Sequence, residues 1–158
     1  MVCFIKLIVI SAVLIALTFY VSHNWRLLWD RQIRKCMDAN VLLFQMNAEQ
    51  PYQRGDVLVF ESRRAAPVFP DGTRLAKIAV GVPGDTVEIT PDERILVNGR
   101  LISTGLPYLN KLSEGEKRKF IGRKVLGKDE FWMMGTTEHS FDSRYWGSIN
   151  ANQVLGKS

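Results

Sequence analysis

The stretch that decides the fold is Lys77-Ile78-Ala79-Val80-Gly81-Val82-Pro83-Gly84-Asp85. Branched and small apolar residues before a Pro-Gly-Asp turn are typical of a buried β-strand that ends at the turn. The stretch begins with a lysine, and burial of an ammonium without a partner favours the neutral amine, which can act as a general base. We therefore interpret Lys77 as a candidate base. The alternative is an edge-strand lysine whose ammonium reaches water.

A second polar, turn-forming and aromatic segment follows the apolar run 131–134. It reads Gly135-Thr136-Thr137-Glu138-His139-Ser140-Phe141-Asp142-Ser143-Arg144-Tyr145-Trp146-Gly147. Together the two segments resemble the type I signal peptidase family, which has a Lys-Arg-Ala-Val-Gly-Leu-Pro-Gly-Asp-like box and a longer box ending in Ser-x-Asp-Ser-Arg-Tyr-Trp-Gly. The resemblance implies that Lys77 is the general base, that Ser140 holds it, and that Asp142 and Arg144 form a supporting ion pair.

The resemblance runs from about residue 35 to the C-terminus. It is best at 54–60, 77–85 and 140–147, and 150–157 resembles the strand that usually closes the domain. Two positions depart from the family: Thr136 and Glu138 stand where it usually has Asp and Arg. The geometry at the back of the site is therefore expected to differ.

The usual nucleophile is missing. In the family it is a serine followed by methionine just past the membrane anchor, but no serine occurs between Asn24 and Glu61. Cys36 followed by Met37 stands in its place. A thiol gives up its proton more readily than a hydroxyl, and a neutral amine can accept it, so Cys36 is our candidate nucleophile. The alternatives are that Cys36 is a small buried hydrophobic residue, or that the protein has lost its activity.

The N-terminal sequence is typical of a membrane anchor. The apolar run 7–21 extends back past Lys6 to Val2, about 20 residues, which is enough to cross a bilayer core. We predict an uncleaved anchor over 1–22, a juxtamembrane interfacial segment over 23–35 and a catalytic domain over 36–158. A cleaved signal peptide is the alternative, although no clear small-x-small site follows the run.

The juxtamembrane segment combines aromatic, apolar and basic side chains. It contains Trp25, Leu27, Leu28, Trp29 and Ile33 among Arg26, Arg31, Arg34 and Lys35. This spacing predicts a short helix at the lipid interface. The excess of cations after the span favours a cytoplasmic C-terminal domain by the positive-inside rule. The family resemblance implies the periplasmic or outer face of the bacterial inner membrane, and we follow the resemblance.

Beyond Cys36 the pattern is one of short strands with turn residues between them. Strands are predicted over 41–45, 56–61, 74–82, 85–90, 95–97 and 101–102. Asn98-Gly99 between apolar alternations predicts a tight hairpin. The fold class is therefore mainly β: a compact antiparallel domain on one transmembrane helix.

Composition excludes several function classes. The net charge is +5, and the main basic cluster has no nucleic-acid motif, so it is interpreted as a solvated face. The two histidines, His23 and His139, are far apart in sequence, and Cys3 and Cys36 are too far apart for a disulfide, so neither a metal site nor a cofactor is expected.

The short chain and the altered nucleophile box resemble the TraF-type peptidases of conjugative transfer. This implies an endopeptidase that removes the leader or terminal segment of an exported preprotein or propilin, in contact with membrane lipid, with a conjugation apparatus as a further candidate partner. Two alternatives remain: a non-catalytic assembly subunit that keeps the fold, and a housekeeping signal peptidase.

Overall fold

The computed structural model describes residues 2–29, 36–37, 41–48, 50–110 and 113–158. The helices are α1 (Val2–Asn24), α2 (Glu114–Lys117) and α3 (Ser143–Trp146). The strands are β1 (Trp25–Trp29), β2 (Val41–Met46), β3 (Val57–Glu61), β4 (Arg74–Gly81), β5 (Thr86–Ile89), β6 (Arg94–Val97), β7 (Arg100–Thr104), β8 (Gly122–Val125), β9 (Glu130–Met134), β10 (Ile149–Asn150) and β11 (Val154–Lys157). Three short 3₁₀ helices cover Pro107–Leu109, Arg118–Phe120 and Ala151–Gln153. The predicted mainly-β fold with an N-terminal apolar helix is confirmed.

The strands form two sheets. A seven-stranded sheet has the order β1-β2-β11-β3-β4-β9-β10, and a four-stranded sheet has the order β7-β6-β5-β8. The chain enters the second sheet after β4 and returns to the first at β9. The second sheet is therefore formed by the part of the chain between β4 and β9, the two strands that flank the candidate site.

Helix α1 is long and apolar enough to cross a membrane. Its 23 residues span about 35 Å at the rise of an α-helix. The apolar window of the candidate span Phe4–Asn24 is not buried inside the described part of the protein. Length, composition and exposure make α1 a candidate anchor.

The predicted interfacial helix after the anchor is wrong in the part that the structure describes. Residues 25–29 form β1, which pairs antiparallel with β2, so that Leu27 lies opposite Leu43 and Trp29 opposite Val41. An apolar strand partner satisfies the backbone and pairs large side chains across the ladder, and this outweighs a weak helical pattern. Residues 30–35 lie outside the described residues.

The hairpin predicted at Asn98-Gly99 is confirmed. It connects β6 and β7, with Val97 opposite Arg100. Asn98 and Gly99 have φ angles of 52° and 77°, the positive values that a two-residue type I′ turn requires.

Strand β9 belongs to both hydrophobic cores. Phe131 and Met133 pack in the first core with Phe60 of β3, and Trp132 and Met134 pack in the second core with Val87 of β5. Alternate side chains of a strand point to opposite faces, so a strand buried on both faces can connect two cores. The end of β9 is therefore held from both sides.

An ion pair joins the turn at Arg54-Gly55 to the turn at Pro83-Gly84-Asp85. Arg54 Nη2 lies 2.6 Å from Asp85 Oδ2. Burial acts to raise the pKa of Asp85, but hydrogen bonds from the Val82 N–H, Asn98 and Arg54 outweigh it and hold that pKa below its ordinary value. This contact fixes the turn that ends the lysine-bearing stretch against the turn that precedes β3.

A prediction follows for Glu130, at the start of β9. Its carboxylate accepts hydrogen bonds from Lys124 Nζ at 2.7 Å, Ser148 Oγ at 2.8 Å and Gly127 N at 2.9 Å. Burial acts to raise the pKa of Glu130, but these bonds and the charge of Lys124 outweigh it and lower the pKa from 4.5 to about 2. Because the folded value is the lower one, the stabilisation is complete above pH 4.5 and is lost as the pH falls through about 2.

Glu130→Gln should therefore lower the free energy of unfolding at pH 7 by about 1–2 kcal/mol, and the deficit should shrink as the pH falls below the unfolded-state value. Urea unfolding of the detergent-solubilised chain measures this. Glu88→Gln, which changes a carboxylate with no hydrogen bond to a described residue, is the matched control. A deficit that stays constant from pH 7 to pH 3 would contradict the role given to Glu130.

Candidate active site

Lys77 lies on the core-facing row of an interior strand. β4 has β3 on one side and β9 on the other, and Lys77 is 1% exposed between Leu75 and Ala79, both of which pack in the first core. The edge-strand alternative, in which the ammonium reaches water, is therefore wrong.

The side chain of Lys77 is not committed to a protein partner. Among the described residues the Lys77 side chain takes part in no hydrogen bond or ion pair, and its Nζ is not one of the fully enclosed polar atoms. Buried lysines are ordinarily paired. An unpaired amine at this depth is available to a reacting group.

Strand register brings Lys77 to Gly135. In the β4–β9 ladder Ala79 lies opposite Met133 and Ile78 opposite Met134, so the next step along the two chains sets Lys77 opposite Gly135. Opposite residues of an antiparallel pair share a face of the sheet. The side chain of Lys77 therefore points to the same side as the vacant Cβ position of Gly135.

Gly135 is where the other two candidates meet. A Cβ added to it would collide with the carbonyl oxygen of Cys36 and with the side chain of Ser140. The Cys36 carbonyl also accepts a hydrogen bond of 3.0 Å from the backbone N–H of Thr136. The structure thus brings the Cys36 backbone and the Ser140 side chain together at one glycine, on the side of the sheet to which Lys77 points.

Cys36 and Ser140 are both buried at this junction. Cys36 is 9% exposed and Ser140 is fully buried. The Ser140 hydroxyl has no hydrogen-bond partner in the described part of the chain. A buried hydroxyl without a partner is costly, and here it borders the face on which Lys77 lies.

Asp142 and Arg144 form the expected ion pair, and it is buried. Arg144 donates from Nε to Asp142 Oδ1 at 2.8 Å and from Nη2 to Oδ2 at 2.9 Å. Asp142 is fully buried and Arg144 is 2% exposed. Burial acts to lower the pKa of Arg144, but the hydrogen bonds and charge of Asp142 outweigh it and raise that pKa above its ordinary value. Arg144 is therefore a fixed cation.

This ion pair holds the loop that follows β9. Asp142 accepts the N–H of Gly135 at 3.2 Å and caps α3 through the N–H of Arg144. Arg144 also donates to the carbonyl oxygens of Ser140 at 2.9 Å and Glu138 at 3.3 Å. Both residues therefore position the loop that presents Gly135 and Ser140.

A serine–lysine hydrogen bond elsewhere in the structure has a structural role. Lys124 Nζ lies 2.9 Å from Ser148 Oγ. Glu130 is 2.7 Å from the same Nζ, and an ammonium paired with a carboxylate cannot take up another proton. The contact therefore connects β8 to β9. Ser148 is also only 2% exposed, so its hydroxyl is not accessible to a substrate.

The sequence interpretation missed Gly135 as part of the site. The signal was available, since a glycine directly after a buried strand often marks a close backbone approach. Among the described residues, no group of three or more His, Cys, Asp or Glu could hold a metal ion.

The comparisons with known proteins identify the family. All of residues 1–158 match the family described as signal peptidase, peptidase S26. The chain belongs to this family. The predicted family is thus confirmed, whereas the TraF-type branch and the cysteine nucleophile stay predictions.

Named relatives are signal peptidases of bacteria. Signal peptidase I of Pseudomonas aeruginosa is 35% identical over 139 residues, covering 67% of this chain and 47% of that protein. Signal peptidase I of Pseudomonas fluorescens is 34% identical over 126 residues, covering 65% and 43%. A crystal structure of a signal peptidase I from Enterococcus faecalis matches with 24% identity and a TM-score of 0.44, covering 70% of this chain and 99% of that chain. This chain spans about half the length of the two Pseudomonas relatives.

The close approach at Gly135 leads to a prediction. Gly135→Ala should lower the free energy of unfolding by about 1–3 kcal/mol, as expected for overpacking, because the new methyl displaces the Cys36 backbone or the Ser140 side chain. Thermal unfolding in detergent measures it. Gly115→Ala, at a glycine with open space around its Cβ position, is the control. Equal stability of the two variants would show that the junction at Gly135 is looser than described.

Proposed function

We propose that this protein is a membrane-anchored endopeptidase of the signal peptidase type, which cleaves the leader or terminal segment from exported proteins. The observation that carries the proposal is the meeting of Cys36, Ser140 and the Lys77 face of β4 at Gly135. Family membership supports the reaction class.

In the proposed mechanism, neutral Lys77 accepts the proton of the Cys36 thiol. The thiolate attacks the scissile carbonyl, a carbon–sulfur bond forms, and the oxyanion is stabilised by backbone N–H groups near Cys36. Lys77 then returns the proton to the leaving amine as the carbon–nitrogen bond breaks. Water resolves the acyl-enzyme to a mature protein, or the substrate's own amine resolves it to a cyclic product.

The supporting residues have separate tasks in this mechanism. Ser140, whose hydroxyl has no partner in the described chain, would accept or donate a hydrogen bond that orients the Lys77 amine. Asp142 and Arg144 would keep Ser140 in place through the 2.9 Å bond to its carbonyl oxygen. The free-energy cost of reaching the reactive geometry is lower for a base that is already held in one orientation.

We further propose that the substrate is a pilin precursor of a conjugation apparatus. The replacement of the family's serine by Cys36, with Thr136 and Glu138 at altered positions, supports a specialised peptidase. General removal of signal peptides is the second candidate, supported by relatives that are named signal peptidase I. Co-expression with each class of precursor, followed by mass spectrometry of the products, separates the two.

The general-base role makes a kinetic prediction. Lys77→Ala should leave the fold intact and lower kcat/KM by an amount equivalent to about 3–5 kcal/mol of transition-state stabilisation. Lys128→Ala, an exposed lysine in a turn, is the control and should cleave normally. Cleavage by Lys77→Ala at the wild-type rate would remove Lys77 from the mechanism.

The nucleophile is tested by two substitutions at one position. Cys36→Ser should retain partial activity, because the site resembles one built for a hydroxyl, whereas Cys36→Ala should have none. A thiol-alkylating reagent should block the wild type, and Lys77→Ala should slow alkylation at neutral pH because the thiol loses its proton acceptor. Full activity of Cys36→Ala would assign the nucleophile to another residue.

Topology gives a further prediction. If α1 spans the bacterial inner membrane with the domain on the periplasmic or outer face, an alkaline phosphatase fused after Ser158 will be active, and protease added to spheroplasts will reach the domain. If the phosphatase fusion is inactive, and a reporter of cytoplasmic location fused at the same place is active, the domain is cytoplasmic. That result would follow the positive-inside rule and contradict the proposed role.

A further inference from the structure

Three consecutive carbonyl oxygens that end at Ser140 accept hydrogen bonds from side chains. Arg144 Nη2 donates to the carbonyl oxygens of Glu138 at 3.3 Å and of Ser140 at 2.9 Å. The carbonyl oxygen between them, that of His139, accepts a hydrogen bond of 2.8 Å from the hydroxyl of Tyr108. Arg144 belongs to the same segment of chain as Ser140, whereas Tyr108 reaches the loop from the end of the second sheet.

Tyr108 and Thr137 hold the peptide unit that joins His139 to Ser140. Its carbonyl oxygen accepts the Tyr108 bond, and its N–H, which belongs to Ser140, donates to the carbonyl oxygen of Thr137 at 3.1 Å. A peptide unit is planar and turns as one body. Both bonds therefore resist the same rotation, and that rotation would move the Cα–Cβ bond of Ser140.

The Ser140 hydroxyl depends on its backbone for its placement. The hydroxyl has no hydrogen-bond partner among the described residues, so no polar partner there selects its rotamer. The same side chain lies against the Cβ position of Gly135, on the face to which Lys77 points. A restraint on the peptide unit before Ser140 is therefore a restraint on the hydroxyl itself.

The segment that carries Tyr108 is firmly anchored. Tyr108 is the middle residue of the 3₁₀ helix Pro107–Leu109. Leu106 and Leu109 are buried in the second core, and the N–H of Leu106 donates to Glu93 Oε2 at 2.9 Å. A side chain on an anchored element holds its partner more precisely than one on a free loop.

The ring of Tyr108 packs against two aromatic side chains of the loop. It meets Phe141 edge-on at a centroid distance of 5.5 Å and Tyr145 edge-on at 5.2 Å. Phe141 and Tyr145 stack on each other at 5.2 Å. Edge-to-face and offset stacked pairs are the favourable aromatic arrangements. These contacts fix the plane of the Tyr108 ring, and hence the direction of its hydroxyl, without involving the hydroxyl.

We propose that Tyr108 is a positioning residue of the candidate active site: it fixes the peptide unit between His139 and Ser140 and so directs the Ser140 hydroxyl toward the face on which Lys77 lies. The inference rests on the proposed peptidase function and adds a residue from outside the two sequence motifs. Tyr108 acts through Ser140, not on the reacting atoms. Because Tyr108 is 39% exposed, water competes for its hydroxyl, and the expected effect is moderate.

A double-mutant cycle with Ser140 tests the proposal. Kinetics are measured on the full-length chain in detergent with a cleavable precursor. Tyr108→Phe keeps the ring and removes the hydroxyl. It should lower kcat about threefold to tenfold with KM unchanged, as expected when one hydrogen bond that serves only the reacting groups is lost. In the Ser140→Ala background the same substitution should have no further effect, because the hydroxyl that Tyr108 positions is gone.

Tyr52→Phe is the matched control. It removes a comparable bond, of 3.0 Å, from the Tyr52 hydroxyl to the carbonyl oxygen of Ala48, and the Tyr52 ring likewise packs edge-on, against Phe131 at the other end of β9. Tyr52→Phe should therefore leave kcat at the wild-type value in both backgrounds.

A second measurement needs no turnover. Hydrogen exchange followed by mass spectrometry should show faster exchange of the Ser140 amide in Tyr108→Phe than in Tyr52→Phe or the wild type. Equal exchange in the two variants, an unchanged kcat in Tyr108→Phe, or a loss of kcat that persists in full in the Ser140→Ala background would overturn the proposal. If the wild type cleaves no precursor, the proposed function falls, and the exchange of the Ser140 amide alone decides whether Tyr108 positions it.

Discussion

The buried Asp142–Arg144 ion pair is the interaction on which the arrangement of the site depends. One guanidinium holds the carboxylate of Asp142 and the carbonyl oxygens of Ser140 and Glu138, and Asp142 in turn holds the N–H of Gly135. Removing one partner of such a pair leaves a buried charge uncompensated, at a cost of about 3–5 kcal/mol. The loop after β9 therefore has one dominant arrangement, and this arrangement sets the Ser140 hydroxyl against Gly135.

The sheets supply the complementary half of the site. β9 is anchored in both hydrophobic cores, so its last residues cannot shift without disturbing Met133 on one face and Met134 on the other. β4 is an interior strand that pairs with β9, and its register sets Lys77 on the same face as the Cβ position of Gly135. Lys77 is thus positioned by the backbone pairing of its strand, and the loop after β9 is positioned by the Asp142–Arg144 ion pair. The chemistry proposed for Cys36 needs both, because proton transfer depends on the placement of donor and acceptor.

Much of this could be predicted from short patterns. The lysine strand was predicted over 74–82 and spans Arg74–Gly81, because an apolar run before Pro-Gly has few alternatives. The Asn98-Gly99 hairpin and the Asp142–Arg144 ion pair were also found, the first because of turn chemistry and the second because of the resemblance to the signal peptidases. The roles of Cys36, Lys77 and Ser140 stay predictions.

Other features depended on partners far away in the sequence. β1 was predicted as a helix because the apolar residues of 25–29 suit either structure, and only the partner strand β2 decides between them. The Arg54–Asp85 contact joins residues 31 positions apart, and the close approach of Cys36 to Gly135 joins segments from opposite ends of the domain. Local periodicity contains no information about such contacts, which are fixed by register and sheet order.

The most direct test of the central claim, that Cys36 is the nucleophile activated by Lys77, is to locate the acyl-enzyme. The detergent-solubilised chain is mixed with a cleavable precursor, quenched in acid within one turnover and digested for mass spectrometry. Our account predicts the leader fragment attached to Cys36 as a thioester that neutral hydroxylamine removes. An adduct on a serine, resistant to that treatment, would contradict it.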